Sequence, residues 1–184
     1  MSHANSKHSQ RLSARRPLVF DTRTLGLAAV RSETRTAPAP ASLGVELVHV
    51  PEGAELELEV RLEEVAEGVL VTATVRAPLV GECARCLVLF ASATEVRFTE
   101  LFAREASDDD TDGYLLDGDL LDLEPALRDA LVLELPLAPL CADDCPGLCS
   151  ECGVRLADAG AGHGHNDAGL TPDGTPVPDT RKER

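Results

Sequence analysis

The segment AELELEVRLEEV, residues 54–65, alternates apolar and charged side chains from Glu55 to Glu63. Leu56, Leu58, Val60 and Leu62 share one parity; Glu55, Glu57, Glu59, Arg61 and Glu63 share the other. A helix would scatter both sets around its circumference, whereas a strand sends successive side chains to opposite faces. The period predicts a strand buried on one side and wet on the other. AEGVLVTATVRAP follows at once. Gly68 marks a turn, and Val69, Val71, Ala73 and Val75 alternate with Leu70, Thr72, Thr74 and Arg76. The pair predicts a hairpin whose second strand ends at Pro78. One or two further strands are expected in LVLFASATEVRFTELF, where Val96 and Phe98 share a face. Together these segments predict an antiparallel sheet with one solvated face.

LLDLEPALRDALVLELP has a different period. Leu123, Leu127, Leu131 and Leu135 recur every four residues, which predicts a helix with its leucine stripe against the sheet. Asp122 is placed to cap it, Pro125 falls in the first turn, and Pro136 and Pro139 end it. The acidic stretch REASDDDTDGYLLDGD between sheet and helix reads as a solvated loop, because it lacks the ligand alternation of a calcium-binding loop. The expected fold is α+β: an antiparallel sheet of about four to five strands, packed by a C-terminal amphipathic helix and followed by a Cys-rich clasp at 141–153. Residues 1–16 are expected to be a disordered basic arm, 17–156 one domain, and 157–184 a Gly-, Pro- and Asp-rich disordered tail. Within the N-terminal third, PLVFDTRTLGLAAV could dock as a strand or short helix, and TAPAPAS reads as a linker.

Charge separates the function classes. The chain has 184 residues, 43% of them hydrophobic, enough for one core, and a net charge of −15. Residues 1–36 carry seven basic groups against Asp21 and Glu33, a balance of +5, which leaves −20 on the remainder. Such a body repels nucleic-acid phosphates and suits a basic protein partner; only the arm has charge suited to RNA. No stretch approaches the roughly 20 apolar residues of a membrane helix. The Arg15–Arg16 pair is followed by Pro17, Asp21 and Arg23 rather than an apolar run, so no export signal is read. A cytoplasmic location is expected, where lasting disulfides are rare.

All six cysteines lie in two places: Cys83 and Cys86 in GECARCL, and Cys141, Cys145, Cys149 and Cys152 in LCADDCPGLCSECG. Two thiolates in a CxxC turn can reach one tetrahedral ion, and a glycine after the second Cys, as at Gly153, relieves the tight backbone. CARC lacks that glycine. Four-sulfur sites can be assembled in three ways: Cys83 and Cys86 with Cys149 and Cys152, the same pair with Cys141 and Cys145, or the last four alone. A structural zinc ion is expected, with four of the six cysteines per ion. A redox CxxC would need a strand-to-helix junction that an antiparallel hairpin does not provide. His163 and His165 read as solvated residues of the tail. No phosphate loop or catalytic triad is present, and His49 stands alone beside a strand, so no enzyme is expected.

In order, APLVGECARCL, an acidic loop, LLDLEPALRDALVLELPLAPLC and DCPGLCSECGVRL resemble the YceD family over residues 17–156. That family comprises large ribosomal RNA subunit accumulation proteins. The resemblance implies a bacterial cytosolic factor needed for 23S rRNA to accumulate. It carries over the CxRC residues Cys83, Arg85 and Cys86, and the set Cys141, Cys145, Cys149 and Cys152 found in many members. Joined to the charge split, it suggests an adaptor. The acidic sheet face (Glu55, Glu57, Glu59, Glu63) would hold a basic large-subunit ribosomal protein or assembly factor. Arg11, Arg15 and Arg16, and alternatively Arg85, would touch pre-23S rRNA, although Arg85 could equally bridge to a carboxylate of its own domain. The rivals are an rRNA-processing or redox-regulated enzyme, and a structural zinc module acting indirectly on rRNA.

Overall fold

The computed structural model describes residues 12–26, 29–106, 113–160 and 162–165. In chain order its strands are β1 (Val19–Asp21), β2 (Val30–Pro38), β3 (Leu43–Val45), β4 (Val48–Val50), β5 (Glu55–Glu64), β6 (Gly68–Glu82), β7 (Leu89–Ala103), β8 (Tyr114–Leu115) and β9 (Leu120–Asp122), followed by the helix α1 (Glu124–Glu134). The described residues are mostly antiparallel sheet with one short helix. Among them seven strands share the main sheet, where four to five were expected, and β1 pairs separately with β9.

The alternating pair forms the hairpin β5–β6, in register from Glu57↔Arg76 to Glu64↔Val69. Leu56, Leu58, Val60, Leu62, Val69, Val71, Ala73 and Val75 are all buried, each contributing about 1.5–3 kcal/mol if a large aliphatic. β6 does not stop at Pro78; it continues to Glu82 and pairs along its whole length with β7. The proline is tolerated because its other edge is vacant there. The β5 ladder ends at Arg76 and the β4 ladder begins at Val80, so Pro78 lies where no partner requires its N–H. β7 is one 15-residue strand, so LVLFASATEVRFTELF contributes a single long element.

Residues 30–38, which include the start of the TAPAPAS segment read above as a linker, form the edge strand β2 against β5. Its inward positions are Arg31, Glu33, Arg35 and Ala37. Arg35 lies over the Phe20 ring at 3.9 Å, pairs with Glu33, and donates to the carbonyls of Pro17 and Val19. A charged row thus covers the apolar strand β1, which places the PLVF island in the core with Leu18, Val19 and Phe20 buried. Pro38 closes an edge strand, where a missing donor costs little.

α1 packs against β7 and β3, with Leu123, Ala126, Leu127, Leu131 and Leu135 buried. The N-cap residue is Leu123 and makes no side-chain cap; one residue earlier, Asp122 Oδ1 accepts from the Glu124 N–H at 3.1 Å. The sheets and α1 form one compact unit, while residues 85–87 and the described residues between 142 and 165 form a second, built from turns.

Candidate metal centre

CARC occupies the tip of the β6–β7 hairpin. The register closes at Glu82↔Leu89, and the Cys83 N–H donates to Val88 O at 2.9 Å. Leu87, directly after Cys86, takes φ of 59°. The second CxxC has the same construction. The Cys149 N–H donates to Val154 O at 2.8 Å, Leu148 bridges to Arg155, and Gly153 takes φ of 72°. Both turns require a left-handed residue after the second cysteine. In CARC a leucine adopts it, at the cost that makes this conformation rare for residues with a Cβ.

The Sγ atoms of Cys83, Cys86, Cys141 and Cys145 lie within 4.8 Å of one another, a group that can hold a metal ion. Cys83, Cys86 and Cys145 are buried and Cys141 is exposed. Local hydrogen bonds hold the neighbouring backbone: the Ala84 N–H donates to Pro139 O at 2.8 Å, and Arg85 Nη1 donates to Cys145 O at 3.1 Å. Gly147, at φ of 80°, backs onto the Arg85 carbonyl, which leaves only 3.2 Å for any added Cβ. A sulfur-only, tetrahedral-sized, largely buried donor set fits a structural zinc ion and leaves no position for substrate. Of the three groupings, the structure brings together the second.

Cys149 and Cys152 are gathered with His163 and His165 instead, their four ligand atoms also within 4.8 Å of one another. His165 Nε2 is 3.1 Å from Cys149 Sγ, and His163 Nε2 is 3.7 Å from Cys152 Sγ. Both rings act on Cys149. Hydrogen bonding to His163, then the backbone N–H groups of Cys152 and Glu151, lower its thiol from 9.0 to about 6. The reading of these histidines as solvated tail residues missed this. The available signal was the residue arithmetic: six cysteines fill one four-sulfur site and leave two, so two further ligands were to be sought downstream.

The remaining candidates are placed as follows. Arg11 lies outside the described residues. Arg15 is exposed, whereas Arg16 pairs with Asp122 at 3.3 Å and Glu124 at 3.4 Å. Arg85 does bridge, but to a backbone carbonyl rather than a carboxylate. Glu55, Glu57 and Glu59 are exposed and Glu63 half-buried on the solvent side of β5. Glu59 pairs with Arg76, which also binds Glu95, and Glu63 pairs with Arg61. Among the described residues Glu55 and Glu57 have no ion pair. The face is therefore a mixed-charge lattice with its unbalanced acid at the Glu55–Glu57 end.

No described helix is long and apolar enough to cross a membrane. Uncharacterized proteins of Mycobacterium tuberculosis and Mycobacterium bovis are each 48% identical to the chain over 136 residues, 71% of this chain and 65% of theirs. An uncharacterized protein of Mycobacterium leprae is 42% identical over 158 residues, 82% of this chain and 72% of its own. The chain thus spans 65% of the length of the first two relatives. No solved structure matches it. The family model described as "Large ribosomal RNA subunit accumulation protein YceD" matches residues 71–172, a span that includes both ligand groups. More than half of the chain is covered by that match, and the chain belongs to the YceD family.

Proposed function

We propose that this chain is a non-enzymatic factor in large-subunit biogenesis, supporting accumulation of 23S rRNA by holding a basic ribosomal protein or assembly factor in the cytoplasm. Family membership supplies the process, since the family is named for the accumulation of an RNA and not for a reaction. The observation that carries the adaptor role is the solvent face of β5, where Glu55 and Glu57 stand exposed beyond the paired Glu59 and Glu63. An exposed acidic patch steers and orients a cationic partner, an effect that salt weakens. Zinc on Cys83, Cys86, Cys141 and Cys145 has a structural role here, because four thiolates complete its coordination. Direct contact with pre-23S rRNA is the weaker reading. Arg16 already neutralises Asp122 and Glu124, which leaves the role to Arg11 and Arg15.

The test is affinity capture of the tagged full chain from bacterial cells, with protein and RNA both identified. Enrichment of a basic large-subunit protein or assembly factor is expected, reduced by Glu55→Lys with Glu57→Lys and by added salt. Recovery of no large-subunit protein, assembly factor or rRNA overturns the reading. So does cleavage of rRNA or catalysed thiol exchange by the purified protein.

A further inference from the structure

We propose that Cys149, Cys152, His163 and His165 bind a second zinc ion, separate from any ion on the four-thiol group. Zn–S bonds of about 2.3 Å and Zn–N bonds of about 2.0–2.1 Å in a tetrahedron put neighbouring donors roughly 3.3–3.8 Å apart. The two sulfur–nitrogen separations, 3.1 and 3.7 Å, bracket the roughly 3.5 Å expected of a sulfur–nitrogen pair on one ion. Both histidines present Nε2 to a sulfur, with their rings edge to face at 89° and centroids 4.9 Å apart. Two imidazoles turned so that the same nitrogen faces a common point are arranged as ligands of one ion.

Two further features support the site. Glu151 Oε2 is 3.3 Å from His165 Nδ1, the ring nitrogen turned away from the sulfurs. A carboxylate on the distal nitrogen fixes the tautomer that leaves Nε2 with its lone pair, as for the histidine ligands of zinc sites generally. The second feature is the lack of a core. None of the described residues from 149 to 165 is buried. The segment is shaped by the CSECGV turn, an Arg155–Asp158 pair and the His163 N–H to Gly160 O turn, all solvent-facing. Such a piece has little apolar burial to fix its conformation, and a metal ion supplies what the sequence does not.

The spacing is a Cys-x2-Cys turn followed, after ten intervening residues, by His-x-His. The two-sulfur, two-nitrogen donor set is that of structural zinc and keeps no open position, so the role is to order residues 149–165.

The test is the zinc content of the purified full chain, prepared under reducing conditions and weighed by native mass spectrometry. Two zinc ions per chain are expected. His163→Ala with His165→Ala should leave one, and Cys83→Ser with Cys86→Ser should remove the other while the histidine-dependent ion stays. Cobalt substitution of the unaltered protein gives a readout independent of any variant. Its spectrum should contain a four-sulfur and a two-sulfur, two-nitrogen component, with the second lost in the histidine variant. A single zinc per chain that persists in the histidine variant overturns the inference and leaves the four-thiol reading intact. One zinc lost with the histidines but not with Cys83 and Cys86 does the reverse.

Discussion

Leucine at position 87 should be the strained point of the CARC turn, and three substitutions test that. Leu87 has φ of 59° and is 58% exposed; Leu89, two residues on, begins the extended strand β7 and is 79% exposed. Ranked by burial alone, Leu87→Gly should be the costlier. Backbone conformation reverses the order. A left-handed residue with a Cβ costs about 1–2 kcal/mol, which glycine relieves, while the freer unfolded chain takes back about 0.4–1 kcal/mol. The part of the leucine that is buried is less than half of a side chain worth about 1.5–3 kcal/mol, so roughly 1 kcal/mol is lost. Leu87→Gly should come out near neutral, within about 0.5 kcal/mol, whereas Leu89→Gly, with no strain to relieve, should cost about 1 kcal/mol. The reciprocal change, Gly153→Ala, meets no atom within 4 Å of the added Cβ. Its cost is conformational only, about 1 kcal/mol, or roughly a fivefold weaker hold on zinc at the neighbouring cysteines. Denaturant unfolding of the zinc-loaded protein measures the first two and chelator competition the third. A Leu87→Gly protein that loses as much stability as Leu89→Gly would show that the turn carries no strain.

Three further outcomes follow from the sheet and helix. Tyr114, the only tyrosine in the chain, donates to Asp129 at 2.7 Å; burial first, and that carboxylate next, raise its phenol above the ordinary 10.0, so ultraviolet titration should show no phenolate at pH 10 until the protein is denatured. Leu127→Ala empties a buried position of α1 and should cost about 2–5 kcal/mol in denaturant unfolding, while the exposed Leu133→Ala should stay within about 0.5 kcal/mol. The Arg23 guanidinium and backbone N–H hold the Asp21 carboxyl at about 2. Its stabilising effect is full above the ordinary 3.8 and is lost as pH falls through about 2, so an NMR titration should place Asp21 there and Arg23→Ala should raise it part of the way toward 3.8, the backbone N–H of residue 23 being retained.

The main hairpin was legible because its signal is apolar alternation, which burial on one face imposes directly. β2 has the same period, but its inward side is Arg31, Glu33 and Arg35, and it is the planar guanidinium of Arg35 that lies over Phe20. Hydrophobic periodicity cannot register a strand whose buried face is charged. The charge argument meets a similar limit: Arg23, Arg31 and Arg35 pair with Asp21 and Glu33, which the +5 balance already counts, while Arg16 is matched by Asp122 and Glu124 from outside residues 1–36 and is not a free charge of the arm. Pro78 was read as a strand end because the residue was judged alone. Whether a proline breaks a strand depends on the edge its missing donor faces, and that depends on where the neighbouring ladders stop.

Cysteine spacing behaved differently. It picked out two turns of the same construction, because such a turn is a local object of six residues: the 83–88 and 149–154 hydrogen bonds lie wholly within each turn. The pairing of half-sites is not local, and closure entropy, which grows only logarithmically with loop length, separates the three groupings too weakly to choose. A ligand count does better. Every grouping that fills one four-sulfur site leaves two cysteines of a CxxC-type pair over, which is half of a tetrahedral ligand set. The chain downstream of Cys152 offers two described imidazoles, at 163 and 165, with Glu151 placed to orient one of them. The completeness of ligand sets, four and four, is therefore a stronger constraint on this Cys-rich end than any single spacing. It also explains why a tail so poor in apolar residues should be shaped at all.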